Sequence, residues 1–341
     1  MGDGMGTAWE HFNVHDIVRL RANTRLPTVP PYFRVDALEP NFEVEMRESL
    51  PPPDRARVRR VVGYTAYEMG NRELFYETDT PIMFLLGSRA RWRFVLGGLA
   101  EGTTRIVTAA PFFRFEPVRF KVTQLLSRLV LLVMTLKLIQ NGFAMYHATS
   151  VARGDRATLL FGFSGTGKST LASTLLDAGY EFLSDDYVIA DPKGQVYCYP
   201  DWHKPRPLQV RIPLAKYVGL NPPYARTGLR IRKQAKIGPI FILERGPDRV
   251  AELDRAEALR RILLLNLEEV SKLWNSPLSG MLNHYAYFYP DLDLEGLMER
   301  YRAHVTSFVD RAERFVSVQS SSPSFEAVKD LVHRAYGEGE W

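Results

Sequence analysis

The chain has 341 residues, 45% of them apolar and 24% charged. These are globular values that exclude disorder over the whole length and leave room for two domains. The net charge of +5 favours anionic partners, but no DNA or RNA motif accompanies it, so no nucleic-acid role is expected. One cysteine, Cys198, excludes an internal disulfide and a cysteine-based metal site and points to a reducing, cytoplasmic setting.

Met1-Gly2-Asp3-Gly4 lacks the basic and then apolar layout of a signal peptide. The first forty residues, with Pro27, Pro30 and Pro31, read as an irregular arm. His11 and His15 stand four apart, and they are expected to hold no metal. Pro51-Pro52-Pro53 leads into Arg55, Arg57, Arg59 and Arg60, a stiff turn and a solvated basic run.

From Val61 the period is that of strands. Val61 to Met69 and Arg72 to Thr78, joined by Gly70-Asn71, predict a hairpin. Further short strands are expected over 82–86, 91–96 and 104–108. Residues 1–115 thus form an arm and a β-rich module, suited to partner recognition or oligomerisation, and 116–341 form the second domain. From Arg114 to Ile139 apolar residues recur at three and four residue steps, predicting a long helix. Arg128 and Lys137 interrupt its apolar stretch, which is shorter than the ~20 residues of a membrane span. A buried helix is therefore expected, with no span.

Phe143 to Val151 and Thr158 to Phe161 read as paired strands, with His147 on the first. Next stands Gly162-Phe163-Ser164-Gly165-Thr166-Gly167-Lys168-Ser169, which fits G-x-x-x-x-G-K-[ST] at every fixed position. A strand precedes it, and a helix from Ser169 to Ala178, stopped by Gly179, follows it. Glycines let such a loop turn successive N–H groups onto a phosphate, and the helix N-terminus adds positive potential. Gly162, Ser164, Gly165, Thr166, Gly167, Lys168, Ser169 and Thr170 are the expected nucleotide contacts. Lys168 would reach the β and γ phosphates of ATP, and the Ser169 hydroxyl would bind Mg²⁺.

Glu181 to Asp186 brings Asp185 only seventeen residues after Lys168, a short strand expected beside the loop strand and ending in two carboxylates. One, Asp186, can help hold Mg²⁺ while the other, Asp185, accepts the proton of an attacking hydroxyl.

Tyr146-His147-Ala148, the glycine-rich loop, Ala178-Gly179 and Leu183-Ser184-Asp185-Asp186 together resemble the C-terminal domain of the HPr kinase/phosphorylase family, whose fold is related to the phosphoenolpyruvate carboxykinases. The resemblance covers about Tyr146 to Asp191. It implies an α/β (α+β) chain with a P-loop kinase core over 116–341, His147 near the phosphates, Asp185 as catalytic base and Asp186 assisting the metal. Thr170 stands where the bifunctional members commonly carry an acidic residue. The chain is therefore more similar to the diverged HPr-kinase-related proteins, some of which phosphorylate a serine of a ribosomal peptide such as a lasso-peptide precursor. Relatives of this fold assemble as hexamers or smaller rings, so a homo-oligomer is a further expectation.

Tyr187 to Ala190 and Gln195 to Tyr199, joined by Asp191-Pro192-Lys193-Gly194, predict a hairpin. From Trp202 to Leu243 there is no acidic residue, against nine Lys and Arg: Lys204, Arg206, Arg211, Lys216, Arg226, Arg230, Arg232, Lys233 and Lys236. Lys204, Arg206 and Arg211 are favoured for phosphate contact, Arg206 among the nucleotide ligands. A strand over 237–244, helices over 255–267 and 294–312, a strand over 315–318 and a closing helix over 323–336 complete the chain, with the aromatics of Tyr285 to Tyr289 as packing.

The function these residues point to is an ATP- and Mg²⁺-dependent kinase acting on a serine-type hydroxyl of a peptide or protein. A kinase of small-molecule hydroxyls, or a nucleotide-sensing regulator without transfer, would use the same pocket.

Overall fold

The computed structural model describes residues 8–50, 52–53, 58–61, 64–79, 83–85, 88–109, 116–201, 228–274 and 279–321. The chain is mixed α/β, with two nine-stranded sheets of mixed direction in two compact units. Of the described residues, the first unit takes those up to Lys137 and those between Ser271 and Leu297, and the second takes the rest.

The first sheet contains β1 (Glu10–Val14), β2 (Val18–Ala22), β3 (Arg34–Val35), β4 (Phe42–Arg47), β5 (Val58–Val61), β6 (Tyr64–Gly70), β7 (Glu73–Thr78), β10 (Arg93–Gly97) and β11 (Thr104–Ala109). Its order is β3-β1-β2-β4-β11-β10-β7-β6-β5, while β8 (Met83–Leu85) and β9 (Ser88–Ala90) pair separately. Alternation builds it: Val18, Leu20 and Ala22 are buried while Arg19 and Arg21 between them are not, the period-2 pattern of a strand with one buried face.

The first forty residues are therefore not an irregular arm. They hold three strands, and a fourth starts just beyond them at Phe42. The β1–β2 turn places His15 and Asp16 at φ 55° and 61°, where a glycine is the usual signal. Here the Asn13 carboxamide accepts the Asp16 N–H at 2.9 Å instead, the local bond by which Asn stabilises turns. His15 packs edge-on against Phe33 at 5.2 Å.

Helix α1 (Glu116–Gln140) contains a stretch, Val122–Gln140, long and apolar enough to cross a membrane by length and composition, yet 72% of that window is buried inside the protein. A buried helix fits that share. Burial pushes the Lys137 ammonium down to about 8.

The second sheet contains β12 (Ala144–His147), β13 (Thr149–Arg153), β14 (Arg156–Phe161), β15 (Glu181–Ser184), β16 (Tyr187–Ala190), β17 (Gln195–Tyr197), β18 (Gln234–Arg245), β19 (Arg249–Glu252) and β20 (Phe315–Ser320). Its order is β12-β16-β17-β18-β14-β13-β15, with β20 on β18 and β19 on β20. Both faces are covered. Leu159, Phe161, Ile240 and Ile242 share one core with Ile262 and Leu265 of α3 (Arg255–Trp274) and with Tyr301, Val305 and Phe308 of α5 (Leu294–Val309). Leu160, Phe241 and Leu243 pack on the other face with Leu171, Ala172 and Leu175 of α2 (Lys168–Asp177). That is why 157–161 reads as a continuous apolar run.

Helix α2 ends at Gly179, φ 94°. The Gly179 N–H donates to the Leu176 carbonyl and the Tyr180 N–H to that of Leu175, a Schellman cap closed by contact within the Leu175–Tyr180 cluster. Helix α4 (Ser279–Phe288) was not expected. Tyr285, on it, donates to the Arg72 carbonyl at 2.6 Å, a packing role that includes a polar tip.

Tyr146 stacks on Phe308 at 4.9 Å and shares a 2.9 Å hydrogen bond with His304 Nδ1. Burial pushes His304 down to about 4, opposed by Asp191 and the Ala190 backbone. The unfolded chain binds this proton below about 6.5 and the folded one does not. The stability is present above that pH and is lost as pH falls from about 6.5 toward 4. Between pH 7 and pH 5 the loss should be on the order of 1–2 kcal/mol. Urea titrations at the two pH values should show it, and His304→Gln should flatten the difference; an equal slope in both proteins would contradict the assignment.

Candidate functional site

The glycine-rich loop begins where β14 ends, and its shape requires its glycines. Gly162 has φ 151°, and a Cβ there would lie 2.5 Å from the Leu243 carbonyl oxygen and 2.8 Å from Thr166 Oγ1. Gly167 caps α2 at φ 104°. Gly162→Ala is expected to lower stability by roughly 1–3 kcal/mol. Chemical unfolding checks this, and an unchanged midpoint would mean that the loop relaxes freely.

Lys168 is 7% exposed. Its Nζ donates to the carbonyls of Gly162 at 2.6 Å and Phe163 at 3.2 Å, so the ammonium is folded back over the loop. Thr166 Oγ1 also donates to Phe163 O, at 2.8 Å. Ser164, Gly165 and Thr170 are exposed and Ser169 is half-buried, placing the Ser169 hydroxyl in the first turn of α2.

The aspartates are not on the strand next to the loop strand. β13 lies between β14 and β15, paired antiparallel with each. The tight return at Arg153–Arg156 puts β13 against β14, leaving β15 only the far edge of β13. Two antiparallel steps make β14 and β15 run the same way, so Gly162 and Asp185 leave the same edge of the sheet. Leu159 faces Ser150, which faces Ser184. At ~4.8 Å per strand the Leu159 and Ser184 backbones lie roughly 10 Å apart.

A second relation joins His147 to the aspartates. The expected single strand over 143–151 breaks at Ala148, and the chain opposite breaks at Asp185-Asp186. Ser150 faces Ser184 on one side of the break and His147 faces Tyr187 on the other, three residues earlier in one segment and three later in the other. Residues 144–150 and 184–190 therefore keep one register, interrupted where the two carboxylates stand opposite Ala148 and Thr149, and the pairing shifts by one residue only beyond it, between Ser150 and Val151. The Thr149 hydroxyl spans the gap, donating to the Asp185 carbonyl at 2.5 Å and lying 3.5 Å from Asp185 Oδ1. Asp185 is 3% exposed and Asp186 is exposed, so the adjacent acids occupy different environments. His147 lies edge-on to Tyr187 at 6.0 Å, and its backbone N–H donates to Asn266 Oδ1 at 2.9 Å.

No local signal marks Thr149, Asn266 or Arg245, whose Nη2 donates to the Gly165 carbonyl at 2.7 Å; all three enter through tertiary contacts. Arg206, with Lys204 and Arg211, lies outside the described residues, as does the helix expected over 323–336. Of that basic run Arg230, Arg232, Lys233 and Lys236 are described. Arg232 faces Glu181 at 3.5 Å. Among the described residues no three His, Cys, Asp or Glu side chains gather as metal ligands.

No family model matches the chain, and no curated protein matches it.

Proposed function

We propose that this chain is an ATP- and Mg²⁺-dependent kinase of the HPr kinase/phosphoenolpyruvate carboxykinase type, transferring the γ-phosphoryl group to a serine-type hydroxyl of a peptide or protein. The observation that carries the reading is the common edge: the loop with Lys168 and the break holding Asp185 and Asp186 leave one side of the sheet, one strand apart.

The residues fit a nucleotide. The loop keeps backbone in a shape that a Cβ at Gly162 would obstruct, and the Lys168 ammonium bonds to its carbonyls, bonds it can exchange for phosphate oxygens. For the metal, Mg²⁺ binds chiefly through phosphate and water oxygens and one or two protein groups; here Ser169 and Asp186 would supply them. When bound, Mg²⁺ would neutralise charge developing on the phosphates.

Lys168 and the loop N–H groups would hold the terminal phosphates and take up negative charge as the bond to the leaving oxygen lengthens. Asp185 would accept the acceptor hydroxyl's proton. Thr149 keeps its backbone fixed, and His147 lines the same break. The class of acceptor includes a lasso-peptide precursor, and a cytoplasmic homo-oligomer belongs to the same proposal.

Incubation with γ-labelled ATP and Mg²⁺ tests it. Label is expected on a serine-containing peptide or protein. Label on a small metabolite would reassign the acceptor, and saturable binding with no transfer to any acceptor would leave a nucleotide-sensing regulator.

A further inference from the structure

We infer that Arg245 is a positioning residue for the glycine-rich loop, holding it open for the nucleotide; this rests on the nucleotide reading above. β18 runs parallel to β14, with Ile242 opposite Phe161, so its end forms a wall along the loop. The wall touches the loop twice. At Gly162 the backbones pack so closely that a Cβ would lie 2.5 Å from Leu243 O. Two residues beyond Leu243, the Arg245 guanidinium donates to Gly165 O at 2.7 Å.

The arginine works from a fixed base. Glu244, between those contacts, is tied to α3 and β20. It accepts from Arg261 Nη1 at 2.8 Å, from Gln319 Nε2 at 3.1 Å and from Ser317 Oγ at 3.4 Å. Arg261 is itself held by Glu257 at 2.6 Å. A strand end anchored from one side thus presents a cation to a loop carbonyl on the other. In a loop whose amides face a phosphate, a carbonyl held by a charged donor cannot rotate inward and displace those amides. Arg245 thereby acts on the phosphates through Gly165.

The test compares Arg245→Ala and Arg245→Lys in the full chain, reading the dissociation constant of a fluorescent ATP analogue with Mg²⁺, the split between KM and kcat in transfer, and the thermal midpoint. Loss of one charge-assisted bond should raise the dissociation constant and KM for ATP about tenfold in Arg245→Ala. Turnover at saturation should stay within about twofold. Arg245→Lys should recover most of the affinity, since one charged donor reaches one carbonyl. Unchanged affinity in Arg245→Ala overturns the inference. So does a fall in kcat at unchanged affinity, which would put the guanidinium on the transferring group. If the wild-type chain binds the analogue without transferring phosphate, the kinase proposal fails while the affinity comparison still decides the role of Arg245. If it binds no nucleotide, both fall.

Discussion

Lys168→Ala is expected to weaken ATP binding by about a hundredfold, from two lost charge-assisted bonds, and to leave no measurable transfer. Lys168 is a buried cation held by two carbonyls of its own loop, bonds that on the proposed reading it would exchange for phosphate oxygens. Removing it takes a positive charge from the loop and one donor from each of the Gly162 and Phe163 carbonyls, the second of which keeps Thr166 Oγ1. Arginine should not rescue it, because a planar fork does not reproduce a point charge enclosed by a tight turn. Isothermal titration with ATP and Mg²⁺ measures the loss; affinity within threefold of wild type would show that the loop does not hold the phosphates.

Asp185→Asn should separate binding from chemistry. The Thr149 hydroxyl donates to the backbone carbonyl of Asp185, so the substitution keeps the tether and a side chain of nearly the same shape. ATP affinity should stay within a few-fold. Transfer should fall by about 10²–10⁴, the range for loss of a general base. Asp186→Asn should instead raise the Mg²⁺ concentration needed for half-maximal rate. If Asp185→Asn turns over normally and Asp186→Asn does not, the two roles are exchanged.

The strand, loop and helix from Arg156 to Asp177 were legible because their signals are local: an apolar run, glycines where the backbone needs positive φ, and a glycine at the helix end. The same holds for the hairpin of β6 and β7 and for that of β16 and β17. The first strands were hidden by the β1–β2 turn, where His15 and Asp16 occupy left-handed conformations without glycine. The insertion of β13 between β14 and β15 is a matter of which edge was already taken, and no single segment carries that information. The break at Ala148 was concealed because Phe143 to Val151 holds no Gly or Pro to mark a turn, while the pairing that interrupts it depends on Asp185 and Asp186, 37 and 38 residues further on. Thr149, Asn266 and Arg245 are polar residues of common type, and only distance gives them meaning.

The most direct test is the structure of the chain bound to Mg²⁺ and a non-hydrolysable ATP analogue. The terminal phosphate should lie in the Gly162–Ser169 loop with an Asp185 carboxylate oxygen within about 5 Å, room for one hydroxyl between them. A terminal phosphate directed away from Asp185, at roughly the 10 Å that separates the two strands, would contradict a shared phosphotransfer site.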